Sequence, residues 1–215
     1  MCPLKNRGFT LVEVMIAAAI LAVIMGIVYG SFSGSLKTME ISKEDGEAYR
    51  KARIILNRMA QEISCASLPS EQSRADIAYA FIGEDREEDG SPQDSLDFIC
   101  TAVPLKGPMK GLKEVGYYVT SDTQTGEHTL IVREDTTPDD RSDQGGERYV
   151  LGSNVWGLDL KYYDEEGREW ERWDSTSPLF ENRLPKMVKI SLVLKDERSE
   201  VISFTTRTYI PLEGD

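Results

Sequence analysis

The chain has little of what most catalytic and metal-binding chemistry needs. Among 215 residues there is one histidine, His128, and there are three cysteines, Cys2, Cys65 and Cys100. No Cys-x-x-Cys, His-Glu-x-x-His, Gly-x-Ser-x-Gly or phosphate-loop spacing occurs, so hydrolytic and metal-dependent catalysis have no visible basis. No cofactor and no metal are expected, and His128 reads as an exposed residue at a strand end. Basic side chains are also scarce, 25 against 37 acidic, for a formal net charge of −12. No Lys/Arg run offsets that balance, so nucleic acid would meet a repulsive surface and is not an expected partner. Internal repeats and low-complexity tracts are absent. An enzyme reading would have to rest on carboxylates alone, such as a glycosidase-like pair beside Trp170 and Trp173 with Asp164, Glu165, Glu166 and Glu169. Paired aromatics at a sheet edge or interface are the commoner use of such residues.

What is present begins at the N-terminus. Residues 9–32 are apolar except for Thr10, Glu13, Tyr29 and Ser31. As a helix at ~1.5 Å per residue this segment is about 36 Å long, enough to cross a ~30 Å hydrocarbon layer. Lys5 and Arg7 precede it and only Lys37 follows closely, which predicts a cytoplasmic N-terminus and an exported C-terminal part. Small residues at 17–19 and 30–34 leave open a second reading, a secretory signal cut near Gly34. Glu13 argues against it, because a carboxylate within a span costs ~2 to 3 kcal/mol at the midplane and is usually kept for a partner. A glutamate near the membrane face that snorkels to water is the bland alternative.

Lys5-Asn6-Arg7-Gly8-Phe9-Thr10-Leu11-Val12-Glu13, running into an apolar helix, resembles the leader of type IV pilins and type II secretion pseudopilins. The resemblance implies a fold and a processing history. A prepilin peptidase would cut between Gly8 and Phe9, and the new terminal Phe9 would be N-methylated. Glu13, fifth after the cut, would meet the free N-terminal ammonium of a neighbouring subunit during fibre assembly. Cys2 would leave with the leader, and the loss of Lys5 and Arg7 would make the mature chain more acidic still.

Beyond the span, Leu36, Met39, Ala52, Ile55, Leu56, Met59 and Ile63 recur at three- and four-residue steps. Lys43, Glu44, Asp45, Glu47, Arg50, Lys51 and Arg58 fill much of the opposite side, so the helix is expected to continue as an amphipathic one. Gly46 weakens it by ~1 kcal/mol relative to alanine, and Leu68-Pro69-Ser70 marks the stop. Residues 9–66 would make one rod of about 85 Å. An oxidising compartment would permit a disulfide between Cys65 and Cys100. Against it, Cys100 sits on the apolar side of a strand alternation with Leu96 and Phe98, where a small buried hydrophobe suffices, whereas Cys65 falls near Gln61 and Glu62.

From about residue 75 the period switches to two. Segments 76–82, 95–103, 115–120, 129–133, 155–163, 188–194 and 201–209 are short, rich in β-branched and aromatic residues, and separated by turn clusters, as antiparallel strands are. Val188, Ile190, Leu192 and Leu194 share one face, and Ile202 and Phe204 follow the turn at 196–199, the clearest hairpin in the chain. The expected class is α+β: a long N-terminal helix packed on an antiparallel sheet domain. Two acidic stretches, 84–90 and 139–143, offer oxygen ligands to calcium, but neither follows the twelve-residue calcium loop and each holds an arginine; both read as solvated loops.

Val155-Trp156-Gly157-Leu158-Asp159-Leu160-Lys161-Tyr162-Tyr163-Asp164, then Gly167, Trp170 and Trp173, then Leu184-Pro185 before Val188, is similar to the C-terminal pattern of the J-type minor pseudopilin of type II secretion. That likeness implies a structural subunit at a pseudopilus tip, with I-type and K-type minor pseudopilins as partners, held in the inner membrane with its domain in the periplasm. Its parts would be a leader at 1–8, a transmembrane helix at 9–32, an amphipathic continuation at 33–67 and a β-rich domain at 68–215. A minor pilin of a type IV pilus or DNA-uptake fibre is the second reading, and a membrane-anchored periplasmic enzyme the third.

Overall fold

The computed structural model describes residues 10–68, 80–101, 104–105, 111–122, 126–137, 145–180, 182–195 and 200–211. One helix, α1, runs over Leu11–Ser64, and twelve strands follow. The chain divides into two compact units, Met1–Gly46 and Glu47–Asp215. The first carries the early turns of α1. Its Leu11–Ser31 segment is long and apolar enough to cross a membrane, and none of it is buried.

The second unit holds the rest of α1 and the strands. β10 (Trp173–Asp174), β1 (Ile82–Glu84), β4 (Ser95–Cys100), β5 (Lys113–Ser121), β6 (His128–Asp135) and β7 (Glu147–Ser153) form one sheet in that order. β12 (Val201–Tyr209), β11 (Met187–Lys195), β8 (Val155–Tyr163) and β9 (Glu169–Trp170) form the second, and β2 (Glu87–Glu88) pairs with β3 (Ser91–Pro92) in a small hairpin. All these pairings are antiparallel. The α+β class and its long helix are as expected. The β11–β12 register sets Leu192 opposite Phe204 and Leu194 opposite Ile202, which is the pairing the alternation implies; the 196–199 turn itself lies outside the described residues. β7 is an addition, because its Glu147-Arg148-Tyr149 start hides the alternation.

The helix packs where its apolar stripe meets the alternating faces of both sheets. Ala52, Ile55, Leu56, Met59 and Ile63 are buried in one cluster with Phe98, Val115, Leu130, Leu158, Ile190 and Leu192. Each fully buried side chain of this size contributes ~1.5 to 3 kcal/mol relative to exposure. Leu36 and Met39 lie outside the residues whose side chains are described. The helix end is captured locally. Cys65 N and Ala66 N donate to the carbonyls of Glu62 and Ile63, tightening the last turn, and Ser67 N then donates to Ile99 O at 3.0 Å, which ties the helix end to β4. Pro69 and Ser70 of the expected stop are outside the described residues.

Two buried polar clusters sit inside this apolar frame. In the first, Glu62 of α1 is only 3% exposed, and its carboxyl group is surrounded by polar partners. Lys113 Nζ of β5 lies 2.9 Å from Glu62 Oε1 and 2.6 Å from Glu134 Oε1 of β6, and Arg58 bridges the same two carboxylates at 2.5 and 2.7 Å. Tyr117 donates its hydroxyl to Glu62, and Leu105 N donates to Glu134 Oε2 at 2.7 Å. Burial, then the Glu62 carboxylate, holds the Tyr117 phenol well above its ordinary pKa, so it remains a donor. Two acids and two bases balance, which is what makes such a site tolerable in an apolar interior. In the second cluster Arg133 reaches Asp97 at 2.9 Å and Glu114 at 3.4 Å. Gly116 makes room for it, since a Cβ there would collide with the Asp97 carboxylate.

Asp94 holds the β3–β4 corner to β8. Its carboxylate accepts from Arg86 N at 3.1 Å and Leu160 N at 2.6 Å. Burial nevertheless pushes the carboxyl up to about 6, against those two donors, with Asp159 and Asp85 adding repulsion.

Two predictions come from these clusters. Lys113→Met leaves Glu62 and Glu134 sharing one arginine and should cost roughly 3 to 5 kcal/mol in chemical denaturation of the detergent-solubilised chain. The double variant Glu62→Gln/Lys113→Met should lose less than the sum of the two single changes, and a strictly additive result would show that the charges do not act together. For Asp94 the folded state binds a proton more tightly than the unfolded chain, so its contribution to stability grows as pH falls from about 6 towards 4. The melting temperature of wild type relative to Asp94→Asn should therefore rise between pH 7 and pH 5. A difference that stays flat or falls contradicts the assignment.

Candidate functional site

The first turn of α1 is built around two residues. Thr10 precedes the helix and Glu13 stands in its first turn. Glu13 N donates to Thr10 Oγ1 at 3.3 Å, while Glu13 Oε2 accepts from Thr10 N at 3.1 Å and from Thr10 Oγ1 at 3.0 Å. This reciprocal pattern is a capping box, Thr-x-x-Glu. A negative side chain here also faces the positive end of the helix dipole. The signal lies in the sequence itself, as Thr10-Leu11-Val12-Glu13. Among the described residues only Thr10 donates to this carboxylate, and a carboxylate can accept about four hydrogen bonds, so Glu13 has capacity for a further donor. Gly8 and Phe9 lie outside the described residues.

On either side of Glu13, Leu11, Val12, Val14, Met15, Ile16, Ile20 and their successors to Tyr29 are exposed on every side of the helix. A surface of that extent is unstable in water and needs lipid or other apolar helices around it. The arrangement suits anchoring and helix-to-helix assembly.

The other sequence candidates resolve into structure. His128 is 9% exposed, a correction to the expected exposed strand end. Its Nδ1 lies 3.1 Å from Gln93 Nε2, and its ring tilts against Trp156 at 5.1 Å, so a side chain from the second sheet covers it. Trp170 donates to Asp164 Oδ2 at 3.1 Å and meets Phe180 edge-on, while Trp173 donates to Arg183 O at 3.0 Å and stacks on Phe180 at 3.9 Å. The carboxylates beside them are engaged too: Asp164 and Glu166 with Arg168, Glu169 with the Tyr163 hydroxyl, and Glu171 with Lys161. Of the four carboxylates that a sugar cleft could use, Asp164, Glu166 and Glu169 are thus engaged, and only Glu165 makes no such contact among the described residues.

Cys100 is fully buried, as its alternation implies, and Cys65 packs at the margin of the core rather than on an unexplained polar face. Ala66 pairs with Cys100 and Thr101 N donates to Cys65 O at 3.4 Å, so the two cysteines sit one residue out of direct opposition. The loop at 84–90 forms part of β1 and the β2–β3 hairpin, while 139–143 is outside the described residues. Among the described residues no three His, Cys, Asp or Glu side chains converge as metal ligands would.

What sequence reasoning missed is the charge at the helix–sheet junction. Glu62 and Arg58 fall on or beside the polar side of α1, and nothing local says that Lys113 and Glu134 will meet them.

Comparison with known families agrees with the geometry. Residues 3–29 match the model for the prokaryotic N-terminal methylation motif. Residues 30–204, about four fifths of the chain, match the model for type II secretion system protein J. No curated protein matches the chain individually. A pseudopilin of this family is a structural subunit that works alongside other pseudopilus subunits, and α1 supplies an apolar N-terminal segment long enough for a membrane anchor. The chain thus belongs to the type II secretion system protein J family and is a minor pseudopilin.

Proposed function

We propose that this minor pseudopilin acts at the tip of the pseudopilus, where it joins I-type and K-type minor pseudopilins and starts the fibre that drives protein export across the outer membrane. On this reading a prepilin peptidase cuts after Gly8 and Phe9 is N-methylated. Residues 9–32 then hold the chain in the inner membrane with its N-terminus cytoplasmic, residues 33–67 continue the helix, and residues 68–215 form the periplasmic domain. The role is structural, with no catalytic step assigned to the chain.

One observation carries the reading. A single carboxylate stands at the head of a helix whose Leu11–Ser31 surface is apolar and exposed throughout, in a chain whose remainder matches a pseudopilin family. Within a bilayer that carboxylate is costly unless donors surround it. Thr10 supplies two, and the ammonium of a neighbouring subunit would supply the charge that the hydroxyl cannot. Sister helices would cover the apolar flanks, leaving lipid only at the fibre's base. The match over residues 30–204 also favours secretion over a type IV pilus.

The test separates the two jobs of Glu13. Glu13→Gln keeps an acceptor for the capping box but loses the charge, whereas Thr10→Val keeps the charge and loses a cap whose removal costs ~1 kcal/mol. Glu13→Gln should lower co-purification with the other minor pseudopilins by roughly tenfold to a hundredfold, the loss expected for one charged contact, and secretion should fall with it. Thr10→Val should stay close to wild type. If Glu13→Gln secretes normally while Thr10→Val fails, Glu13 is a helix cap and the assembly contact is wrong.

A further inference from the structure

Two long sheet edges are left open among the described residues, and they differ in how they are protected. β7, the outer strand of the larger sheet, begins Glu147-Arg148 and carries a register shift opposite Leu130 and Ile131. Charges and bulges are the usual means by which an edge is kept from pairing with another chain. β9 and β10 are two residues each, too short to template anything. β12 has none of these features. It runs nine residues, pairs with β11 at every position from Val201 to Tyr209, contains no proline, and bears Arg207 as its only charge. In an antiparallel strand alternate residues turn both N–H and C=O away from the partner, and on β12 no described strand lies on that side to receive them.

A groove of about 720 Å³ runs along this edge, between Tyr49, Arg50 and Arg53 of α1 and Ser203 and Thr205 of β12. Its floor is apolar, with Tyr49 set edge-on to Phe204 at 5.0 Å. Its wall is basic, in a chain whose net charge is −12. Arg50 and Arg53 are exposed and make no ion pair among the described residues, whereas most other charged side chains near the core are matched. Open backbone, an apolar floor and unmatched arginines together define an occupant: an extended segment, with apolar residues alternating towards Phe204 and carboxylates towards the arginines.

We propose that the free edge of β12 and the Arg50 and Arg53 flank of α1 form a strand-addition site for an extended acidic segment of a neighbouring pseudopilus subunit. The occupant is assigned to a fibre subunit because the chain is itself one, so the inference rests on the fibre reading above. The added segment becomes a fifth strand beside β12, and its carboxylates replace water around the two guanidinium groups. Backbone pairing supplies affinity, and the arginines select an acidic partner.

The test uses the full chain in native membranes together with its secretion system. A photo-crosslinking amino acid is placed at Ser203 and at Asn57 in the groove, with Glu171 on the β9–β10 turn as the control position, and the products are mapped by mass spectrometry. Ser203 and Asn57 should join to an acidic segment of another pseudopilin, and Glu171 should not. Arg50→Glu/Arg53→Glu should lower that yield about tenfold, while Arg50→Lys/Arg53→Lys should retain most of it. Cross-links only between copies of this chain, only to an exported protein, or unaffected by charge reversal overturn the proposal. If a strain lacking the chain still secretes normally while the chain, when present, forms the acidic cross-link, the tip role fails and the strand site stands. If the chain supports secretion and no cross-link forms, the strand site alone fails.

Discussion

A single constraint governs this molecule: one uninterrupted helix has to satisfy two different solvents. Over Leu11–Ser31 α1 is apolar on every side, and no described residue covers it. From Ala52 to Ile63 the same helix shows a narrow stripe that the sheets bury, with polar residues elsewhere. A helix apolar all round belongs in lipid or among other helices, and one with a stripe belongs on a domain. The sheet domain answers only the second demand. The first must be answered by membrane and by sister subunits, so the chain reaches its lowest free energy only within an assembly.

The buried charges at the junction decide how the second half of α1 sits. Apolar packing of Ile55, Met59 and Ile63 is tolerant of small rotations, but Glu62, Arg58, Lys113, Glu134 and Tyr117 are joined by specific ion pairs and hydrogen bonds. Turning the helix by one residue would bury an unpaired carboxylate, and that cost makes the orientation unique in this fold. Orientation matters because it decides which flank of α1 faces away from the sheets. It is this flank that sets Arg50 and Arg53 beside the open edge of β12.

Much of the architecture was legible before any coordinates. The apolar run after Gly8, the switch from helical to two-residue period and the face shared by Val188, Ile190, Leu192 and Leu194 all survive, because each is a local pattern: the run is apolar on every side of its helix, and the strand face is enforced by burial on one side. The capping box was legible too, yet the intersubunit role of Glu13 drew the reading away from its neighbour Thr10. Other features could not be read locally. His128 looked like a solvent-facing strand end until Trp156 and Gln93, from distant segments, closed over it. The Glu62 and Lys113 pair spans 51 positions, and an isolated charge on a helix gives no sign of which strand will neutralise it. β7 was hidden because an edge strand needs few buried residues and here starts with charges.

The chain thus carries an apolar helical segment in one unit and a helix packed on two sheets in the other. Residues 3–29 match the N-terminal methylation motif and residues 30–204 the type II secretion protein J family, and the proposed fibre role requires that the leader be removed so that Phe9 can carry a free ammonium towards a neighbouring Glu13. The most direct measurement is the intact mass and N-terminal peptide of the chain recovered from membranes of secreting cells. A start at Phe9 carrying one added methyl group is the expected result. An intact Met1, or a start near Gly34, would contradict the account.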